Sequence, residues 1–170
     1  MMKAAIVVGH DKISPGAYSS CLHASEYIYN SEVATYLAGV ADIYKRPLVG
    51  GYKTQMKKLA SEINKKDYDI VIELHFNMFN KRANGCETVS FPGSKSLEFG
   101  RDFCEKITEC YMTDNRGAKE AKINGRGWWF LALMEAPAII LEPFFGDHEE
   151  SLKFENPGMY ASVIKQMILN

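Results

Sequence analysis

Two histidines and one glutamate stand at the ends of apolar runs that are typical of β-strands. His10 follows AAIVVG, His75 lies near the end of DYDIVIELHFN (residues 67–77), and Glu142 follows PAIIL. The carboxyl ends of parallel strands meet at the ligand-binding edge of open α/β sheets, so we expect these side chains to converge. Neutral imidazole is the commonest protein ligand for Zn²⁺, and two imidazoles with one carboxylate form a catalytic ligand set. The pattern predicts a metal site rather than two unrelated core histidines.

The carboxylate that completes the ligand set has three candidates. Glu26 would be held rigidly in the first turn of a helix capped by Ser25. Glu32 lies nearly two turns further along and is expected to face solvent or a neighbouring helix. Glu73 shares a strand face with His75 but lies about 7 Å further from the strand end, which suits support of the histidine better than ligation. The spacing alone leaves this choice open.

Other motifs for common enzyme classes are missing or incomplete. HEESL (residues 148–152) lacks the second histidine of the HExxH metalloprotease helix, so we expect His148 and His23 to be loop residues. The sequence contains no P-loop, dinucleotide-binding glycine fingerprint or GxSxG elbow. The four cysteines show no CxxC pair, which predicts that most of them are reduced and structural: Cys21, Cys86, Cys104 and Cys110.

Composition indicates one globular domain that does not bind nucleic acid. The chain has 170 residues, 46 % of them hydrophobic and 24 % charged, and a net charge of −1. A nucleic-acid partner would favour a basic surface. The apolar run near the start covers only about six residues, shorter than a signal-peptide core or a membrane span. We therefore expect no export signal and no stable membrane association.

Predicted strands and helices alternate along the chain. Strands are predicted at residues 3–9, 46–49, within 67–77 and at 138–141, and NGRGWW is predicted to be a turn. Apolar stripes at helical spacing predict three helices between them, and Asn156 with Pro157 begins a fourth. The first three stripes are Tyr29, Val33, Tyr36, Leu37 and Val40; Met56, Leu59, Ala60 and Ile63; and Leu97, Phe99, Phe103, Ile107 and Cys110. This order predicts a single α/β domain with a twisted, mostly parallel central sheet and helices on both faces.

These motifs resemble those of the zinc-dependent N-acetylmuramoyl-L-alanine amidases of bacterial cell walls and phage endolysins. VVGHDKISPGA is similar to the family's strand, GH and downstream GA. SEYIYNSEVA resembles its helix with a metal-binding glutamate, and ELHFN and NGCET resemble its H-x-N and G-x-E segments. APAIILEPFFGDHEE is similar to the stretch that contains the catalytic glutamate. The resemblance spans nearly the whole chain in the same order.

The resemblance implies a zinc hydrolase that acts on peptidoglycan. It points to Glu26 as the third metal ligand beside His10 and His75, and to Glu142 as the catalytic base. The bond implied is the amide between N-acetylmuramic acid and L-alanine, whose cleavage lyses the wall. The resemblance also implies weaker substrate-binding roles for Asn77 and Glu87. Arg126 is a further weak candidate, because a guanidinium can bind a carboxylate of the stem peptide. Asp11 and Glu73 are departures, because the family usually has glycine and a small hydroxyl residue there.

Two other functions remain open from the residues. A zinc carboxypeptidase or another zinc amidohydrolase would use the same metal set and an arginine for the terminal carboxylate, either Arg126 or Arg116. A non-catalytic wall-binding module could share the fold, although an intact Glu142 favours activity. The catalytic domain is expected to occupy residues 1–170, without a separate cell-wall-binding domain. We expect synthesis in the cytoplasm and access to the wall after release or by another export route, as in a phage endolysin.

Overall fold

A six-stranded sheet forms the centre of the computed structural model, which describes residues 1–170. A separate two-stranded ladder consists of β2 and β3. In chain order the strands are β1 (Ala4–Val8), β2 (Tyr18–Ser19), β3 (Ala24–Ser25), β4 (Ala41–Lys45), β5 (Ile70–Leu74), β6 (Cys86–Ser90), β7 (Asn115–Glu120) and β8 (Ala138–Glu142).

The strand order of the large sheet is β4-β1-β5-β8-β6-β7. β4, β1, β5 and β8 are parallel, whereas β6 runs antiparallel to β8 and β7 runs parallel to β6. The carboxyl ends of four strands therefore meet at the edge where β6 and β7 begin. In this register Glu87 of β6 lies opposite Glu142 of β8. The sheet is mostly parallel, as the sequence predicted.

Helices cover both faces of the sheet. One face packs against α1, α3 and α5, and the other against α2 and α4. None of the helices combines the length and apolar character needed to cross a bilayer. Their bounds are α1 (Glu26–Leu37), α2 (Tyr52–Ile63), α3 (Ser96–Tyr111), α4 (Trp128–Leu133) and α5 (Pro157–Leu169), with a 3-10 helix at Glu149–Phe154. The α/β fold with helices on both faces is confirmed.

Local sequence signals explain where two helices begin. The Ser25 hydroxyl accepts a hydrogen bond from the backbone N–H of Ile28 and caps α1, as predicted. The Asn156 side chain accepts from the backbone N–H groups of Gly158 and Met159, and Pro157 occupies the first turn of α5. The predicted apolar stripe of α2 is buried throughout. These signals are local, which is why the sequence reveals them.

Several element predictions were wrong. The strand assigned to residues 46–49 lies instead at Ala41–Lys45, so Arg46 comes directly after its carboxyl end. Tyr36 is 53 % exposed and Cys110 is exposed, so neither belongs to a core stripe. The turn at NGRGWW ends before Trp128, where α4 begins. All four cysteines are free, as predicted.

Candidate metal and catalytic site

Three potential metal ligands come together at the carboxyl edge of the sheet. His10 follows β1, His75 follows β5, and Glu26 opens α1. One ligand atom from each lies within 4.8 Å of the others. Nε2 of His10 contacts Oε2 of Glu26, and Nδ1 of His75 lies 3.4 Å from the same oxygen. The predicted convergence is observed, with Glu26 rather than Glu32 or Glu73 beside the two imidazoles.

Two glycines leave room for the imidazole rings and the carboxylate. A Cβ atom at Gly9 would lie 2.7 Å from Nε2 of His75, and one at Gly16 would lie 2.5 Å from Oε2 of Glu26. Gly16 also has φ +79°, a left-handed conformation that glycine adopts without strain. His10 itself has φ 66°, which is uncommon for a residue with a side chain. The surrounding structure therefore holds His10 in a strained conformation that turns its ring toward Glu26.

The electrostatics of the cluster favour an ionised carboxylate between the rings. Burial would raise the pKa of Glu26, but hydrogen bonds and charge interactions with His10 and His75 outweigh it and lower that pKa to about 2. Burial would lower the pKa of His75, but Glu73 and Glu26 raise it to about 9. A metal must displace a proton from such an imidazole, since only the neutral ring is a ligand.

The donor set suits a catalytic zinc ion. Two imidazole nitrogens and one carboxylate oxygen are typical ligands of catalytic zinc sites, which keep a further coordination position for water or substrate. Glu26 is 3 % exposed and His75 is 6 % exposed, so both side chains are shielded from bulk solvent. His10 is partly exposed, which leaves the cluster open to the cleft on one side.

Glu73 lies outside the ligand cluster, beside His75. Its Oε1 accepts hydrogen bonds from Arg46, and its Oε2 lies 3.2 Å from Nε2 of His75. Burial would raise the pKa of Glu73, but the charges of Arg46 and His75 lower it to about 2. Sequence reasoning missed Arg46, because the misplaced strand hid its position directly after a strand end.

Glu142 ends β8 and is buried with a single charged partner. Nη2 of Arg126 lies 2.5 Å from Oε1 of Glu142. Burial raises the pKa of Glu142 to about 7, although Arg126 and His75 oppose this shift. A carboxyl group with this pKa can both take up and release a proton near neutral pH.

Asn77 connects the carboxylates at this edge of the sheet. Its Nδ2 donates to Oε2 of Glu142 at 2.7 Å and to Oε1 of Glu87 at 2.9 Å. Its Oδ1 accepts from Nη1 of Arg126 at 3.1 Å. The sequence analysis gave Asn77 a substrate-binding role, and in the structure its amide contacts Glu142 and Glu87.

Two cations, Arg116 and Lys119, hold Glu87, although the sequence analysis considered Arg116 only as a possible ligand for a terminal carboxylate. Nε of Arg116 and Nζ of Lys119 each lie 2.6 Å from its Oε2. Burial would raise the pKa of Glu87, but hydrogen bonds from these two residues outweigh it and lower the pKa. Both cations lie on β7, an edge strand whose sequence NRGAKE has no apolar alternation. That strand was not predicted, so no signal in the sequence placed these two residues beside Glu87.

The remaining polar candidates have structural contacts away from the ligand cluster. Asp11 accepts hydrogen bonds from the backbone N–H groups of Ile13 and Ser14, so it shapes the loop after His10. His148 caps the 3-10 helix by accepting from the backbone of Glu150. Neither residue belongs to the group that could hold a metal.

A cleft of about 430 Å³ opens onto the site. His10, His75 and Glu142 line it, together with Arg46 and Arg126. A cavity of similar size, about 470 Å³, lies at the opposite edge of the sheet and has no imidazole in its lining. The two cavities have similar volumes, but only the cleft at the carboxyl edge is lined by histidines, His10 and His75.

Comparisons with known proteins agree with this geometry. A family model described as N-acetylmuramoyl-L-alanine amidase matches residues 5–170. No curated protein matches the sequence significantly. The catalytic domain of the CD27L endolysin targeting Clostridia difficile is similar to this chain at 26 % identity and a TM-score of 0.81, over 100 % of this chain and 98 % of that domain.

Two further solved structures share the fold. An N-acetylmuramoyl-L-alanine amidase from Clostridium difficile 630 has 21 % identity and a TM-score of 0.79, covering 98 % of this chain and 94 % of that one. The catalytic domain of the amidase CwlV from Bacillus (Paenibacillus) polymyxa var. colistinus has 18 % identity and a TM-score of 0.74, covering 99 % and 96 %. At these identities the likeness concerns the fold.

Proposed function

The chain belongs to the N-acetylmuramoyl-L-alanine amidase family, and we propose that it is a zinc-dependent member in which His10, Glu26 and His75 hold the ion and Glu142 is the general base. The observation that carries this proposal is the cluster of three ligand atoms within 4.8 Å of one another. These atoms come from three separate parts of the chain, and His10 and His75 line the same cleft as Glu142.

The family's reaction is hydrolysis of the amide between N-acetylmuramic acid and L-alanine in peptidoglycan. Zinc, when bound, supplies a Lewis acid that polarises the amide carbonyl and lowers the pKa of water. His10, Glu26 and His75 would hold the ion, and Glu142 lines the same cleft as the two histidines. The protein's task is to place a proton acceptor beside the ion.

Glu142 is suited to move the protons of this reaction. As a carboxylate it can take a proton from the attacking water, and as a carboxylic acid it can return that proton to the departing amine. Its pKa of about 7 makes both forms accessible near neutral pH. Asn77 and Arg126 hold its two oxygens, so the carboxyl group is positioned before substrate binds.

We also propose that the stem peptide lies along the cleft beside Asn77, Glu87 and Arg126. The Arg126 side chain is 60 % exposed, so part of its guanidinium can reach a substrate carboxylate while another part contacts Glu142. The similarity to the CD27L catalytic domain supports a role in wall lysis as an endolysin. In that role the protein is made in the cytoplasm and reaches the wall after release or by another export route.

Product analysis on purified peptidoglycan tests the proposed function. We expect new N-terminal L-alanine groups to appear in proportion to the solubilised wall. Treatment with a chelator should stop their release, and one equivalent of Zn²⁺ should restore it. Release of free amino acids from the ends of stem peptides would instead support a zinc carboxypeptidase. Full activity in protein shown to contain no metal would contradict the zinc assignment.

A further inference from the structure

Glu73 is fully buried on the strand that leads to His75. Its exposed fraction is 0 %, and a buried carboxylate is costly unless cations and hydrogen-bond donors surround it. Arg46 satisfies one half of the carboxylate, since Nε and Nη2 donate to Oε1 at 3.0 and 2.7 Å. The second oxygen, Oε2, is buried and accepts no aligned hydrogen bond. This half of the carboxylate therefore lacks a donor.

His75 is the residue whose ring can supply that donor. Its Nε2 lies 3.2 Å from Oε2 of Glu73, a distance within hydrogen-bonding range. Its other ring nitrogen, Nδ1, faces Oε2 of Glu26 at 3.4 Å within the ligand cluster. One side of the imidazole thus faces the metal ligands, and the other side faces the unsatisfied oxygen.

In a neutral imidazole, the nitrogen that carries the hydrogen determines which nitrogen has a lone pair for a metal. A neutral imidazole has one N–H donor and one nitrogen with a free lone pair. When the lone pair of Nδ1 binds a metal, Nε2 must carry the hydrogen, and Oε2 of Glu73 is the acceptor within reach. Nη2 of Arg46 also lies 3.3 Å from Nε2, but a guanidinium accepts no hydrogen bond. Glu73 therefore favours the form of His75 whose Nδ1 can bind a metal.

We propose that Arg46 and Glu73 are positioning residues for metal binding. Arg46 holds the Glu73 carboxylate, Glu73 accepts the Nε2–H of His75, and His75 presents Nδ1 to the ion. The inference rests on the proposed function, because it assigns a role toward the metal held by His10, Glu26 and His75. Carboxylate partners of metal-binding histidines typically change metal affinity by about 10–100-fold.

Zinc affinity of the Glu73→Gln variant tests this arrangement. We expect binding about 10–100-fold weaker than in the unmodified protein, measured by competition with a chromophoric chelator. Glu150→Gln is the matched control, because Glu150 also pairs with a cation, Lys153, but lies outside the cluster. Its zinc affinity should be unchanged. Equal affinity of Glu73→Gln and the unmodified protein would overturn the inference.

A spectroscopic measurement separates positioning from general stability. Nitrogen-15 NMR of the zinc-loaded protein should show His75 with a metal-bound Nδ1 and a protonated Nε2. In zinc-loaded Glu73→Gln the Nε2–H signal should move or broaden, because its carboxylate acceptor is lost. An unchanged His75 spectrum would contradict the proposed contact.

A double variant covers the case in which Glu73→Gln fails to fold with Arg46 unpaired. Arg46→Gln with Glu73→Gln removes both buried charges, and its zinc affinity should fall by the same 10–100-fold factor. If Arg46 acts only through Glu73, the double variant should bind no more weakly than Glu73→Gln alone. Affinity equal to the unmodified protein would overturn the inference. Absence of zinc binding in the unmodified protein would instead contradict the proposed function itself.

Discussion

The two faces of the sheet differ in how completely helices cover them. On one face α1, α3 and α5 bury a cluster of 27 apolar residues, and on the other α2 and α4 bury only 14. The less covered face ends in polar side chains at the carboxyl edge, because Glu73 and His75 follow Val71 with strand periodicity and Glu142 follows Ile140.

The larger face contributes most of the apolar burial that stabilises the fold, and the smaller face carries polar side chains of the candidate site. Apolar burial on the larger face stabilises the fold by about 25 cal/mol per Å² of buried surface. The smaller face ends in buried carboxylates, Glu73 and Glu142, each of which costs free energy without its partners. Substitutions on the larger face should therefore change stability first, and substitutions around the site should change activity or metal content first.

Loss of one imidazole should have the largest effect. In His75→Ala the proposed zinc site loses one of its three ligands, and zinc affinity should fall by more than about 100-fold, because loss of a supporting group alone costs about 10–100-fold. Wall hydrolysis should be lost with the metal. His148→Ala is the matched control, since this histidine lies outside the cluster. Metal analysis of both purified variants is the measurement, and a full zinc complement in His75→Ala would contradict the ligand assignment.

Replacement of the proposed base should remove activity without removing metal. Glu142→Gln keeps the shape of the side chain but cannot accept a proton, so kcat should fall by about 10²–10⁴-fold. Glu135→Gln, an exposed glutamate outside the cleft, should hydrolyse walls at the normal rate. Burial raises the pKa of Glu142 to about 7, so its ionised form is the less favourable one in the fold. Glu142→Gln should therefore not lower the unfolding temperature above pH 7.

A substitution on the larger face should show the opposite pattern. Phe103 is fully buried beside Tyr160, and Phe103→Ala should lower the free energy of unfolding by about 3–5 kcal/mol. Phe103→Leu should cost less and keep the chain folded. Urea unfolding gives the stability, and specific activity of the folded fraction should stay within about twofold, since most effects of core substitutions on function act through stability. A large loss of specific activity in folded Phe103→Leu would contradict the expectation that substitutions on the larger face change stability before activity.

The smallest effect expected is a shift in the pH dependence of Arg126→Gln. Glu142 must be ionised to act as a base, so kcat/KM should fall as the pH drops through its pKa of about 7. Arg126 lowers that pKa. Removing the guanidinium should therefore raise it, by about one unit or less because Arg126 is partly solvated. The acid limb of the profile should move to higher pH, and a shift to lower pH would refute this electrostatic role.

Much of the fold could be predicted from the sequence because its signals are local. Apolar runs marked β1, β5 and β8, and side chains at Ser25 and Asn156 marked helix starts. β7 gave no such signal, because an exposed edge strand needs no alternating apolar residues. β4 was misplaced by a few residues, and that error concealed Arg46.

The sequence by itself determined that His10, His75 and Glu142 stand at strand ends and that Glu26 opens a helix. Only the tertiary structure decided that Arg46 pairs with Glu73, that Arg126 pairs with Glu142, and that β6 runs antiparallel to β8 so that Glu87 faces Glu142. Strand alternation fixes which face of the sheet a side chain occupies. It does not fix which residue from a distant part of the chain lies beside it, because that depends on strand order and loop paths.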